Sequence, residues 1–246
     1  MDRQNKRKHI DIHDVKAFIF GFLKSAAILF LFYRSFLIVV IFSSIYGIYS
    51  VPVGRKRRIR DWRWRINLEF KEVMIGLAGS LNAGYSIENA FEEALKDLKI
   101  LYGNESKLAN EIENIVYMIN LNQPIEEVLM NFAEYTKVDD IYSFAEVFQT
   151  AKRKGGDLIE IARSTASRIS SRIEVKREIK TLLAGKSMEG KIMNFIPLGI
   201  IAYFWICSPG FLDCLYIGTG RIVMTVLLIV YLSAFKWNER IMDIEV

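Results

Sequence analysis

The sequence contains only two cysteines, Cys207 and Cys214, and two histidines, His9 and His13. Two cysteines cannot build a disulfide framework or a structural zinc site. They flank residues 208–210 at the end of an apolar run, where we interpret them as small apolar residues, with an outward-facing disulfide as the alternative. The histidines lie four residues apart in a short basic tail with few carboxylates nearby, so we predict no metal site there.

The parts of a nucleotide-binding loop and of a catalytic centre are also missing. Residues 79–86 and 185–187 imitate a phosphate-binding loop, but Tyr85 occupies the lysine position of the first and Lys180 the first-glycine position of the second. The paired acids of the chain are expected at helix starts or on exposed faces, where no histidine or nucleophile completes a catalytic set. We therefore predict no enzymatic activity and no cofactor.

The charge is strongly segregated along a chain that is 52% hydrophobic and 25% charged. Residues 1–65 carry 14 Lys/Arg and 4 Asp/Glu, residues 66–151 carry 5 and 15, and residues 152–246 carry 14 and 9. Basic flanks are attracted to anionic headgroups and an acidic middle is repelled from them. This pattern indicates a cytosolic domain held at a membrane by its flanks, and it argues against a nucleic-acid partner.

A long apolar stretch covers Phe18–Tyr49 and is interrupted by Lys24 and around Arg34. It could form one long helix or two shorter helices that turn at Arg34. Basic clusters at 6–8 and 55–58 prefer the cytoplasm, so an even number of crossings between them favours two helices. Lys24 then has to snorkel or face another helix.

A second apolar pair, 193–208 and 221–235, repeats this arrangement near the end of the chain. We therefore predict four crossings of the cytoplasmic (inner) membrane, with both termini in the cytoplasm. The expected domains are a basic tail and transmembrane hairpin at 1–54, a cytosolic helical bundle at 55–191, and a transmembrane hairpin with a short cytosolic tail at 192–246.

Residues 57–65 alternate basic and aromatic side chains directly after an apolar run. A nucleic-acid patch could have this composition. Because of its position we instead expect Trp62 and Trp64 to lie at headgroup level, with the neighbouring arginines binding lipid phosphates.

The periodicity of residues 55–191 is helical, with six successive apolar stripes and no run that alternates like a strand. The predicted fold class is all-α: a cytosolic antiparallel bundle of about six helices plus about four transmembrane helices. We expect Ser86 to cap the second bundle helix, Asp139 or Asp140 the fifth, and Asp157 the sixth.

Basic residues recur every four positions on the predicted sixth helix, at Arg168, Arg172, Lys176 and Lys180. This stripe is interpreted either as a solvated face partly paired with acidic neighbours, or as a contact with lipid headgroups or an acidic partner.

Three segments then carry a resemblance: LNAGYSIENAF at 81–91, NQPIEEVL at 122–129, and FAEVFQTAKRKGGDL at 144–158. With the long basic helix and SPGFL at 208–212, their order resembles the F-domain platform proteins of type II secretion, type IV pilus and tight-adherence systems. The chain is most similar to TadB-like members, because it carries one F domain rather than two.

The resemblance implies a role in pilus assembly or secretion rather than a reaction. The implied partners are a hexameric secretion ATPase, pilin subunits, a paralogous TadC-like platform protein and membrane lipids, within a homo- or hetero-oligomer. A membrane-tethered scaffold or signalling protein unrelated to pili is the alternative.

The candidate contact residues are those at two turns of the predicted bundle, together with the basic stripe. Their alternative role is to shape the fold. The turn residues are Gly84, Tyr85, Lys154, Gly155 and Gly156.

Overall fold

The structure, a computed structural model, describes residues 12–33, 35–103, 106–208, 210, 215, 218 and 220–242, without the side chains of 12, 13, 239, 241 and 242. These residues form helices, and no strand occurs among them, which confirms the all-α prediction. The eight helices are α1 (Ile12–Tyr33), α2 (Phe36–Asn82), α3 (Ile87–Tyr102), α4 (Ala109–Asn120), α5 (Ile125–Thr136), α6 (Asp139–Lys154), α7 (Leu158–Cys207) and α8 (Gly220–Met242).

Four of these helices are long and apolar enough to cross a membrane. The candidate segments belong to α1, α2, α7 and α8. The first apolar stretch is divided into two helices, since α1 ends at Tyr33 and α2 begins at Phe36. Arg34, the expected turning point, lies outside the described residues.

The chain divides into two compact units. One contains residues 58–177 and is called the bundle unit here; the other combines 1–57 with 178–246 and is called the apolar unit. The bundle unit holds the second half of α2, the whole of α3 to α6, and the first part of α7, which makes six antiparallel helices with short connections.

The core of the bundle unit is built from the predicted apolar stripes. Phe70, Phe91, Phe144 and Phe148 are almost completely buried, and they lie on α2, α3 and α6. The rings of Phe70 and Phe144 meet edge to face with centroids 5.6 Å apart, a favoured geometry for aromatic pairs. Neighbouring helices with short connections bury these apolar faces against one another. The periodicity of the apolar residues therefore determines which side of each helix points inward.

Two of the three predicted caps are confirmed. The Ser86 hydroxyl accepts a hydrogen bond from the Asn89 amide at 3.3 Å, and the Asp157 carboxylate accepts from the Ile159 and Glu160 amides at 2.9 and 3.2 Å. Each cap satisfies amides that have no partner inside the helix.

The expected cap of the fifth bundle helix, which is α6, is wrong. Val138 is the N-cap residue and provides no side-chain hydrogen bond. Asp139 and Asp140 are instead the first two residues of the helix, and the Asp140 side chain is buried.

Trp62 and Trp64 have contacts within the bundle unit, and their placement at headgroup level stays a prediction. Trp62 packs against the bundle core, and its ring lies edge to face with Tyr135 at 6.2 Å. Trp64 provides the face on which the Lys176 ammonium lies, 3.9 Å from the ring centroid. The basic-aromatic segment therefore contributes both tryptophans to the bundle unit, because a continuing α2 turns them towards α5 and α7.

The apolar unit is held together by a few polar contacts within largely apolar surfaces. Arg55 forms an ion pair with Asp14, and its Nε lies 2.9 Å from the carboxylate. The Tyr33 hydroxyl and Thr225 lie 2.7 Å apart. Hydrogen bonds of this kind join helices in a membrane, where lipid offers no competing partner.

The two cysteines cannot be compared with their prediction in full. Cys207 is exposed at the end of α7, whereas Cys214 lies outside the described residues.

Candidate functional site

Three turns lie at one end of the bundle unit, and we call this surface the three-turn end. It comprises residues 83–86, 121–124 and 154–157, which contain the connections from α2 to α3, from α4 to α5, and from α6 to α7. The antiparallel order of the helices places alternate connections at the same end. All the candidate turn residues of the sequence therefore belong to this one surface.

The first turn is fixed by its backbone. The Gly84 amide donates to the Leu81 carbonyl at 3.0 Å, and the Tyr85 amide donates to the Ser80 carbonyl at 3.1 Å. This pair of bonds is a Schellman motif, which requires a left-handed residue, and Gly84 has φ +87°. The Tyr85 side chain is 50% exposed, so it is available to a partner while the glycine shapes the turn.

The third turn repeats this division of roles. Gly155 has φ +78°, and the amides of Gly155 and Gly156 both donate to the Ala151 carbonyl at 2.8 Å. These bonds close the end of α6, because two amides from beyond the helix donate to a carbonyl of its last turn, where the helix itself supplies no donor. Lys154 is exposed directly before the turn. The side chains that could contact a partner here are those of Lys154 and its neighbours.

The four residues of the basic stripe on α7 differ in their contacts. Arg172 donates to the Asp140 carboxylate at 3.1 Å, and Lys176 lies on Trp64. Arg168 and Lys180 are exposed, and Lys180 lies beyond the bundle unit.

The stripe and the three-turn end are separate surfaces of the chain. Asp140 is in the first turn of α6, and Lys154 is at the other end of the same helix. An α-helix rises 1.5 Å per residue, so these ends are about 20 Å apart. The structure therefore does not bring the stripe and the candidate turns together.

Sequence comparison identifies the family. A family model described as type II secretion system (T2SS), protein F, matches residues 76–206. The chain belongs to this family. The matched residues include the three-turn end and the whole basic stripe. No curated protein and no solved structure matches the chain.

T2SS F proteins are structural platform proteins and not enzymes, and their domain fits a membrane platform of secretion or pilus machinery. Together with the four apolar helices, membership supports an inner-membrane protein. Within the described part of this F-family chain, no three His, Cys, Asp or Glu side chains are arranged to hold a metal ion. His9 and the side chain of His13 lie outside that part.

The three-turn end of the F-family chain carries acidic first turns. Glu88 lies in the first turn of α3, and Glu126 and Glu127 lie in the first turn of α5. Lys152 donates a hydrogen bond to the Glu126 carboxylate at 2.7 Å. The pKa of Glu126 is lowered below its ordinary value, and this hydrogen bond is the largest cause. Carboxylates in the first turn of a helix are stabilised by the helix dipole.

A buried polar network at the opposite end was missed by the sequence reasoning. The Asn67 side-chain amide donates to Asp140 at 2.9 Å, and Arg172 donates to the same carboxylate oxygen. Asn67 and Asp140 are 7% and 3% exposed. The signal was present, because Asp140 lies four residues before Phe144 on the apolar face of α6.

Two further atoms of α2 lie beside this network without a partner. Arg63 Nε and Asn67 Oδ1 are buried and have no hydrogen-bond partner among the described residues. Since Arg63 and Asn67 are one helical turn apart, a water molecule between them would satisfy both atoms.

A second buried carboxylate fixes the connection between α3 and α4. Glu69 is 5% exposed and accepts hydrogen bonds from the Ser106 hydroxyl and the Leu108 amide, both at 2.8 Å. A buried carboxylate requires such partners, because an unpaired charge in the core is costly. Both buried acids of the bundle unit thus have structural roles, which leaves its exposed acids for partner contacts.

Proposed function

We propose that this protein is a TadB-like platform of the cytoplasmic membrane, which serves assembly of a type IV-like (Tad/Flp) pilus or a type II secretion-like machine. In this role it couples a hexameric secretion ATPase to the extraction of pilin subunits, beside a paralogous TadC-like platform protein. The observation that carries the proposal is the match of residues 76–206 to the T2SS F family, in a chain with four apolar helices.

The proposed topology has four crossings, with both termini and the 55–191 domain in the cytoplasm. Basic residues follow the apolar segments of α2 and α8, and such residues are retained on the cytoplasmic side. In a chain whose two cysteines are replaced by serine, Lys154→Cys should react with a membrane-impermeant maleimide only after permeabilisation. Gly210→Cys should react in intact cells, and the reverse pattern would contradict this topology.

The ATPase contact is assigned to the three-turn end of the bundle unit. Tyr85 is half-exposed there, and the first turns of α3 and α5 add carboxylates to the same end of the bundle unit. The last turn of α6 adds Lys152, Arg153 and Lys154 to the same end, so its charge is mixed. An exposed aromatic side chain beside charged groups suits a protein partner with complementary charges. The proposal therefore expects basic groups on the ATPase opposite the acids of α3 and α5.

Charge reversal tests this contact with a matched control. Glu88→Lys with Glu127→Lys reverses two first-turn acids at the three-turn end, whereas Glu111→Lys with Asp139→Lys reverses two first-turn acids at the opposite end. Both pairs change the charge equally and place lysine at the same unfavourable helix position. We expect the first pair to lower the recovery of the ATPase after crosslinking by about tenfold and to reduce pilus output.

Equal recovery of the ATPase with both double variants would contradict the assignment of the ATPase contact to the three-turn end. Mass spectrometry of the crosslinked, detergent-purified protein then distinguishes the platform function from a membrane-tethered scaffold. Repeated recovery of neither an ATPase nor a pilin-like subunit would favour the membrane-tethered scaffold.

Lipid headgroups are the proposed partners of the exposed stripe residues Arg168 and Lys180. Arg172 and Lys176 already contact Asp140 and Trp64, so their contribution to lipid binding is expected to be smaller. Arg168→Gln with Lys180→Gln should weaken the binding of anionic vesicles more than Arg172→Gln with Lys176→Gln, measured by co-flotation with the purified protein. The opposite order would contradict this assignment.

A further inference from the structure

Lys24 lies near the middle of the first apolar helix. The candidate membrane segment of α1 is Asp14–Tyr33, and Lys24 is ten residues from its first residue and nine from its last. At 1.5 Å per residue, the Lys24 backbone is about 15 Å from either end. If α1 crosses the membrane as proposed above, the amino group of Lys24 is attached near the centre of the hydrocarbon core. A lysine at this depth requires a partner.

The structure gives Lys24 an aromatic contact but no anion. Its Nζ lies 4.5 Å from the ring centroid of Phe235 on α8. It forms no hydrogen bond or ion pair with any described residue. The nearest acid along α1, Asp14, is paired with Arg55, and Glu189 of the same unit is paired with Lys186. The face of a ring compensates an ammonium group less completely than a carboxylate does.

The surface around Lys24 is open to a neighbouring helix. Phe20 and Leu23 on the same side of α1 are 74% and 61% exposed, and the small Ala27 is exposed one turn further along. Small residues allow two helix backbones to approach closely in a membrane, and apolar side chains supply the surrounding contact. Lys24 is thus a polar group within an uncovered apolar surface of the apolar unit.

We propose that Lys24 binds a carboxylate carried by a transmembrane helix of a partner protein at matching depth. Charge complementarity identifies this occupant. A second copy of the chain does not supply it, since its described apolar helices hold no unpaired acid near mid-depth. A lipid phosphate is about 15 Å away in depth, which the four-carbon stem of a lysine does not span. The assignment rests on the crossing of α1 and on no other part of the proposed function.

Two matched model helices test this assignment on the full-length protein. Leucine-alanine peptides of about 20 residues would carry one Glu or one Gln at mid-span and a donor dye. Each peptide is reconstituted in phosphatidylcholine vesicles at pH 8 with protein that bears an acceptor dye, and association is read from energy transfer. We expect the Glu peptide to associate about fivefold more strongly than the Gln peptide, because only Glu can form the charge-assisted bond.

Substitutions on α1 connect this preference to one residue. Lys24→Met should abolish the preference and Lys24→Arg should retain it. Lys16→Met, which removes an exposed lysine near the end of the same helix, should leave it unchanged. Phe235→Leu should increase it, because the ammonium loses its competing ring. Equal association of the two peptides with the wild type, or a preference that survives Lys24→Met, would overturn the proposal.

The peptide assay needs neither an ATPase nor a pilin, so its result is independent of the proposed role in pilus assembly. The crossing of α1 is checked separately. A cysteine at position 16 and one at position 35 should react with the impermeant maleimide from opposite sides of the membrane. Reaction of both from the same side would overturn the assignment of Lys24 through its topology, whatever the outcome for the ATPase contact.

Discussion

Replacement of Asp140 by alanine is expected to destabilise the bundle unit by about 1–4 kcal/mol. The variant leaves the amide of Asn67 buried without its acceptor, which costs about 1–3 kcal/mol. The lost ion pair adds less, about 0–1 kcal/mol, because the Arg172 side chain is 56% exposed and solvent screens its charge. The buried amide therefore dominates the effect, rather than the salt bridge.

Hydrogen exchange on the full-length protein in nanodiscs provides the measurement. The free energy of opening is read from the most protected amides of α6 and of the bundle part of α2, where a loss at Asp140 must appear. Asp139→Ala is the matched control, since it removes an exposed acid one residue earlier and should cost about 0.5 kcal/mol through the helix dipole.

A double-mutant cycle measures the coupling between Asn67 and Asp140. Asn67→Ala and Asp140→Ala should be coupled by about 1 kcal/mol or more, because each removes the partner of the other. If Asp140→Ala and Asp139→Ala agree within about 0.5 kcal/mol, the network does not stabilise the bundle unit, and the attribution to the buried amide is refuted.

Three other variants test the turns, the surface charge and the core. Gly155→Ala should destabilise the protein by about 1 kcal/mol at its positive φ, whereas Gly185→Ala, inside α7 with open space around it, should be neutral or stabilising in thermal unfolding. Glu126→Gln should cost about 0.5 kcal/mol at pH 7, and the difference from wild type should vanish as the pH falls through the lowered pKa of Glu126, since its pairing stabilises only the ionised form. Phe144→Ala should cost about 3–5 kcal/mol in the same unfolding experiment, through the cavity it leaves.

The sequence predicted best those features that depend on neighbouring residues. The apolar stripes, the caps at Ser86 and Asp157 and the end of α6 at Gly155 each follow from a periodicity or a turn within a few positions. Local interactions of this kind do not change when the rest of the chain folds. The all-α fold class could therefore be derived before the structure was known.

The failures share a long separation along the chain. Asp140 was expected at a cap or on an exposed face, but its partner Asn67 lies 73 residues earlier and Arg172 lies 32 residues later. The contacts of Trp62 with Tyr135 and of Trp64 with Lys176 were not predicted either, since both partners lie far along the chain. Periodicity predicts which side of a helix is buried, but not which polar residue of another helix meets it.

The candidate contacts at the three-turn end remain predictions. The structure accounts for Gly84 and Gly155 through their backbone conformation, whereas Tyr85 and Lys154 have exposed side chains that the fold does not require. Only a measurement with the partner distinguishes a docking surface from a solvated turn. The structure does improve the choice of variants, because the acids of the two ends can now be compared.

The network of Asn67, Asp140 and Arg172 also sets an order of events during synthesis. Asp140 cannot accept the hydrogen bond from Arg172 until the ribosome has synthesised 32 further residues. At about 5–20 residues per second this takes roughly 2–6 s, and until then the helices from α2 to α6 lack their last partner. The apolar segment of α7 follows closely behind Arg172. With α7 across the membrane as proposed, the final side of the bundle unit is completed at nearly the time when this segment reaches the membrane, so that folding and insertion would coincide.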